Sequence, residues 1–169
     1  MYVIRITTPI VAPIERCFDL ARSIDAHVHS TEGTSERPIA GRTSGLIEAG
    51  EQVTWEAVHF GVRQKMTVQI TQMDRPTRFH DRMLKGAFKS FEHEHAFASQ
   101  PDGSTHMIDE LRIEAPLGPL GWIAERLFLG RYMRRFLQTR AHALKVLAES
   151  EHWRQYVPAA PEPAATPLD

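Results

Sequence analysis

The feature that most limits what this chain can fold into is the evenly spaced turn punctuation across its middle. Turn signals fall at Ala49-Gly50, Phe60-Gly61, Asp74-Arg75-Pro76, Lys85-Gly86-Ala87 and Gln100-Pro101-Asp102-Gly103. Gly, Pro, Asn and Asp mark turns because each satisfies or pre-sets a backbone conformation that other residues resist. The intervals match a run of antiparallel strands joined by short connections. From Thr43 to about Glu114 the chain therefore reads as a meander, with strands near 51–60, 62–73, 77–84, 88–98 and 104–115. Tyr2 to Thr8 adds an earlier strand, since Ile4 and Ile6 alternate with Arg5 and Thr7.

Two short helices should follow that first strand. Pro13 suits the first turn of IERCFDLARSIDAHV, and Ser23 with Asp25 restarts a second helix. Residues 30–41 (STEGTSERPIAG) are polar, carry Gly and Pro, and read as a loop. After Pro116-Leu117-Gly118-Pro119 the pattern turns helical to about Ser150. Leu120, Ile123, Ala124, Leu127 and Phe128 share one face of it. Beyond Gly130 the stripe is Met133, Phe136, Leu137, Ala141, Leu144 and Leu147, which is rotated from the first. A bend near Gly130 is expected, with the second segment packing on the sheet. That segment is the one large apolar partner for the sheet's buried face. The expected fold class is α+β, with a curved antiparallel sheet of about seven strands around a long C-terminal helix.

Bulk properties exclude several classes. The 169 residues suit one domain, assigned to 1–153, with a Pro/Ala-rich tail at 154–169 that has no apolar periodicity and reads as disordered. Formal net charge is −1, without the basic excess of a nucleic-acid binder. No apolar run is long enough for a membrane span, and no signal peptide is visible at the start. Arg126, Arg131, Arg134, Arg135 and Lys145 read as a solvated helix face. Cys17 is the one cysteine, which precludes an internal disulfide and suits a reducing, cytoplasmic setting. It carries no activating neighbour and reads as core. Nothing in the sequence fixes an oligomeric state.

The order of elements, with the segments VAPIERCFDLARSID, GEQVTWEAVHFG, QITQMDRPTRFHDRMLKGAFKSFEHEHAF and PLGPLGWIAERLF, resembles the START-like superfamily, also called SRPBCC or helix-grip proteins. The resemblance covers roughly residues 2–149 and is nearest to the bacterial polyketide-cyclase-like and ligand-binding branch. It implies a cavity between sheet and helix that takes a small apolar or aromatic molecule. It implies no one catalytic motif, because the superfamily shares a cavity and not a reaction. Dedicated lipid transfer is disfavoured by the short chain.

Strand alternation and turn length then propose the cavity face. Val53, Trp55, Ala57 and His59 should point inward, and a two-residue turn at Phe60-Gly61 sets His59 opposite Val62 and Trp55 opposite Met66. A four-residue turn from Asp74 to Thr77 sets Ile70 opposite Asp81, so Phe79 and Met83 join the same face. Glu92 and Glu94 belong in water, which turns Phe91, His93, His95 and Phe97 inward. Keeping that parity calls for a three-residue loop at Lys85-Gly86-Ala87. Pairing Phe97 with Thr105 places His93 opposite Asp109, beside Leu111. Arg140 lies in the inward helix stripe and is within reach of Asp109 or Asp81.

The candidate ligand-binding set is thus Trp55, His59, Met66, Phe79, Asp81, Met83, Phe91, His93, His95, Asp109, Leu111 and Arg140. Three roles suit its polar members. They form a satisfied buried network, they orient a ligand's polar end, or His93 and Asp109 act as an acid–base pair in a cyclase or aromatase. A non-catalytic, partner-binding or regulatory domain is the remaining alternative. No cofactor is expected. The His93/His95 spacing is common in strands and no metal-binding motif accompanies it, so no metal is assigned. His27 and His29 read as surface residues of the second helix.

Overall fold

A computed structural model describes residues 1–31, 35–59, 61–116 and 128–157. Strand β1 (Tyr2–Ile10) leads into helices α1 (Ile14–Ala21) and α2 (Ile24–Ser30). Strands β2 (Arg37–Gly41), β3 (Gln52–His59), β4 (Val62–Asp74), β5 (Arg78–Lys85), β6 (Ser90–Ser99) and β7 (Thr105–Glu114) follow. Helix α3 (Gly130–Glu149) and a 3₁₀ segment, Glu151–Gln155, complete the described chain. The seven strands form one antiparallel sheet in the order β1-β7-β6-β5-β4-β3-β2. The α+β helix-grip class is therefore observed, with α3 packed on the sheet. Among the described residues no helix is long and apolar enough to cross a membrane.

Local chemistry accounts for the helix starts. Pro13 occupies the N-cap of α1 with extended backbone, one position before the first turn, and Ser23 caps α2 by accepting the Ala26 amide at 3.3 Å. Helix α3 buries Met133, Leu137, Ala141, Leu144 and Leu147, the stripe read from the sequence. The first helical segment expected from Leu120 falls almost wholly on 117–127, outside the described residues, so the bend expected near Gly130 is described on one side only, where Leu129 has αR backbone and leads into α3. The end of α3 is tied to the end of β1, where Lys145 Nζ donates to the Pro9 carbonyl at 2.7 Å and the Val11 amide donates to Glu149 at 2.7 Å. Cys17 and Phe18 of α1 are wholly buried, and Phe18 sets its ring edge-on to Phe79 and Phe97, each at 5.5 Å.

Two expectations about elements need correction. Arg37–Gly41 is a strand and not loop, and it forms the sheet's outer edge against β3. It escapes a pattern search because an edge strand needs no apolar alternation, and Pro38 with the bulge beside it interrupts pairing in the way that protects exposed edges. Thr43–Ala49 does not open the meander. Instead Gly45 and Ile47 hydrogen-bond back to the α1–α2 junction, through Ile24 N to Gly45 O and Ile47 N to Arg22 O, and Ile47 is buried there. Past the 3₁₀ segment, Val157 is buried in the core beside Trp153 and Tyr156. Residues 158–169, read as a tail, lie outside the described residues.

Asp19 fastens α1 to the β4–β5 turn. It accepts from Arg22 Nε at 2.9 Å and from Arg75 Nη2 at 2.7 Å. Burial favours the neutral acid, but the two guanidiniums outweigh it and hold the carboxyl below its ordinary value. A depressed folded pKa stabilises the fold above the unfolded value of about 3.9 and loses that contribution as pH falls through the folded value. Asp19→Asn should therefore cost about 1–3 kcal/mol near neutral pH. The deficit should shrink at progressively lower pH in paired urea titrations; a pH-independent deficit would contradict this account.

Candidate functional site

The concave face of the sheet, α2 and α3 enclose a cavity of about 260 Å³. Ten of the twelve candidate residues line it: Trp55, His59, Met66, Phe79, Asp81, Phe91, His93, His95, Leu111 and Arg140. Met83 shares that face, opposite Val68, but packs into the core without reaching the cavity. Asp109 stands one layer further back, next to both histidines.

Register explains these placements. His59 pairs with Val62 and Trp55 with Met66, as the two-residue turn requires. Ile70 does pair with Asp81, but by a different route. The turn leaves Asp74 opposite Arg78, and a bulge between Ile70 and Gln72 restores the offset. The β5–β6 connection is not the expected three residues: β5 ends at Lys85 and β6 begins at Ser90, which sets Asp81 opposite His93. The β6–β7 turn sits one position later than the expected strand ends place it, which moves the pairing by two. Ser99 pairs with Thr105 around Gln100–Ser104, with Gly103 in the left-handed region at φ 81°. Phe97 therefore faces Met107 and not Thr105, and Asp109 sits opposite His95 and not His93. A slip of two residues keeps every side chain on its face and changes only its neighbours.

The floor of the cavity is a buried cluster of two histidines and two aspartates. His95 Nδ1 lies 2.7 Å from Asp109 Oδ1, His93 Nε2 lies 3.4 Å from the same oxygen, and His95 Nε2 lies 3.5 Å from Asp81 Oδ2. Neither His95 Nδ1 nor His93 Nε2 is aligned for a directed hydrogen bond, so the contacts are electrostatic. Burial opposes charge on all four groups. For His93 burial wins, assisted by the neighbouring His95 charge, and its pKa falls to about 4. For His95 the carboxylates of Asp109 and Asp81 outweigh burial and raise it. Both carboxylates are held below their ordinary values by the histidines, Asp109 far below. Arg140 lines the cavity but makes no ion pair with Asp81 or Asp109 among the described residues, and its Nε is buried without a hydrogen-bond partner.

A second polar group stands across the cavity, and the sequence reading missed most of it. His27 is not a surface residue. Its ring stacks on Trp55 at 4.1 Å and its Nε2 lies 2.6 Å from Glu36 Oε2. Glu36 Oε1 is 3.7 Å from His59 Nε2, and His59 Nδ1 is 2.6 Å from the Tyr132 hydroxyl. Burial and the Arg140 charge hold His27 low, while burial is overcome at Glu36 by the histidines and Arg140, which lower it. His27 was legible in part, since it lies one helical turn beyond the buried Ile24. Tyr132 adjoins the apolar stripe of α3. Glu36 sits in irregular chain and carries no periodic signal. His29 is exposed, as expected.

No protein-family model matches this chain, and no curated protein does. Solved structures do match along nearly its whole length. Together with the sheet order and the gripped helix they define a START-like, helix-grip fold. The similar structures include the protein TTHA0849 from Thermus thermophilus (TM-score 0.70, 19% identity, 86% of this chain and 95% of that chain). A START superfamily protein from Mycobacterium smegmatis aligns with TM-score 0.65 at 14% identity, over 88% of this chain and 98% of the other. Ginseng major latex-like protein 151 from Panax ginseng aligns with TM-score 0.62 at 12% identity, over 88% and 98%.

Proposed function

We propose that the chain binds a small, largely apolar molecule in the cavity between sheet and α3. The observation that carries this reading is the cavity itself, about 260 Å³, in a position where a filled core would serve stability better. Its walls are mainly apolar and aromatic, with a few convergent polar groups, which is the usual anatomy of a ligand pocket. Trp55, Phe79, Phe91 and Leu111 supply apolar contact. Arg140, His93 and the His59–Tyr132 pair offer hydrogen bonds that fix the ligand's polar end. The volume lies just under the common range of about 300–1,000 Å³, which favours compact aromatic or quinone-like molecules over long acyl chains.

Thermal-shift screening tests this. A ligand at 100 times its Kd adds about 2.7 kcal/mol, which for a chain of this size raises Tm by about 5–10 °C. Compact aromatics should give shifts of that order and long-chain acyl compounds none. A library without any shift, or one in which acyl chains alone respond, would overturn the reading.

A cyclase- or aromatase-like reaction is the second reading. The observation favouring it is a neutral imidazole, His93, facing an apolar cavity beside carboxylates. With a pKa of about 4, His93 is a weak base near neutral pH, so the binding reading stands first. In the enzyme reading His93→Ala abolishes turnover and spares ligand affinity; in the binding reading it lowers affinity alone.

A further inference from the structure

The floor cluster has donor atoms that the sequence motifs do not advertise. Asp81, His93 and His95 each offer one ligand atom, and these atoms all lie within 4.8 Å of one another. His95 Nε2 and Asp81 Oδ2 are separated by 3.5 Å. That is too long for a good hydrogen bond. It is close to the spacing of about 3.4 Å expected between two ligands that each sit about 2.1 Å from a tetrahedral ion. The three side chains belong to residues 9%, 3% and 2% exposed, so the site is dry and its donors are fixed by neighbouring strands. All three line the cavity, whereas Asp109 does not. Asp109 instead meets His95 on the opposite edge of its ring, at Nδ1, 2.7 Å away. A carboxylate at that position favours metal binding by raising the basicity of the ligating imidazole.

We infer that Asp81, His93 and His95 form a binding site for one divalent first-row transition ion of the Zn²⁺ or Fe²⁺ class, with an open coordination position facing the cavity. Two imidazole nitrogens and one carboxylate oxygen suit such ions better than Ca²⁺ or Mg²⁺, which demand all-oxygen shells. The charge balance also defines what completes the shell. Two carboxylates, Asp81 as ligand and Asp109 behind His95, match the charge of one divalent ion. Arg140 then adds a positive charge at the cavity wall, where Glu36 is its other acidic neighbour. An anionic oxygen, from hydroxide or from a phenolate, enolate or carboxylate on a cavity ligand, fits the open position between the ion and Arg140. The ion itself does not depend on which molecule fills the cavity.

The test uses the full chain, stripped with chelator and titrated with Co²⁺ followed by visible absorption, and with Zn²⁺ followed by calorimetry. The expected result is one equivalent bound with micromolar or tighter Kd. X-ray absorption of the Zn²⁺ form should show two imidazole scatterers. His93→Gln and Asp81→Asn should each weaken binding at least about 10-fold with unchanged circular dichroism. Asp109→Asn, a positioning change, should weaken it by about 10–100-fold. Substituting the exposed His29 and His152 should change nothing. Absence of stoichiometric binding, a signal lost with His29 or His152, or full affinity in folded His93→Gln would each overturn the assignment. The absorption result on unmodified protein decides the matter even if the variants fail to fold.

Discussion

Replacing Asp109 with alanine is expected to destabilise the fold by about 3–5 kcal/mol. Asp109 is 5% exposed and lies against both buried imidazoles, 2.7 Å from His95 and 3.4 Å from His93. Its loss leaves the buried His95 ring, whose pKa the two carboxylates raise, facing Asp81 alone at 3.5 Å. A buried charge stripped of its partner bears the desolvation cost without the attraction that offset it. Urea unfolding near neutral pH measures the loss. The same reasoning predicts that Asp109→Leu combined with His95→Phe recovers most of it, because a buried pair replaced by apolar groups of similar volume is often neutral. An Asp109→Ala variant within about 1 kcal/mol of the parent would show that the floor cluster does not depend on Asp109 for its stability.

Ala57→Trp is expected to close the cavity and reduce the affinity for any apolar probe by at least about 100-fold, the loss that follows when bulk replaces the concave space a ligand occupies. Ala57 lies on β3 between the inward-facing Trp55 and His59, is 6% exposed, and lines the cavity with the smallest side chain on that wall. An indole placed there occupies the volume a ligand needs. Stability supplies an independent reading of the same variant. In a filled core an added ring of this size costs about 1–3 kcal/mol or more through displaced rotamers. Where space already exists, the indole buries apolar surface and the cost falls toward zero. Retained stability with lost binding therefore identifies the cavity as the binding site. Lost stability with retained binding would place the ligand elsewhere.

Much of this was legible in the sequence, and the reasons are local. Alternation in β3 to β7 exposes which side chains face inward, since the charged Glu92 and Glu94 leave His93 and His95 no choice of face. The gripped stripe of α3, from Met133 to Leu147, follows from its period alone. Partners across the sheet were less accessible. Turn length and position set them, and composition marks a turn without fixing either. The Gln100–Ser104 turn moved Asp109 from His93 to His95, and the bulge beside Thr71 is invisible in a strand that alternates throughout. Arg140 was placed on the correct face, but its reach toward Asp109 or Asp81 was not realised as an ion pair. Strand β2 carries no alternating period and Glu36 sits in irregular chain, so only the folded chain reveals the edge strand and brings Glu36 to the cavity.

The most direct test of the central claim is native mass spectrometry of the folded chain mixed with a panel of compact aromatic and quinone-like molecules. A 1:1 adduct is expected with at least one member and is expected to be absent from Ala57→Trp. A bare mass with every member, or adducts that persist equally in Ala57→Trp, would contradict a ligand-binding cavity between sheet and helix.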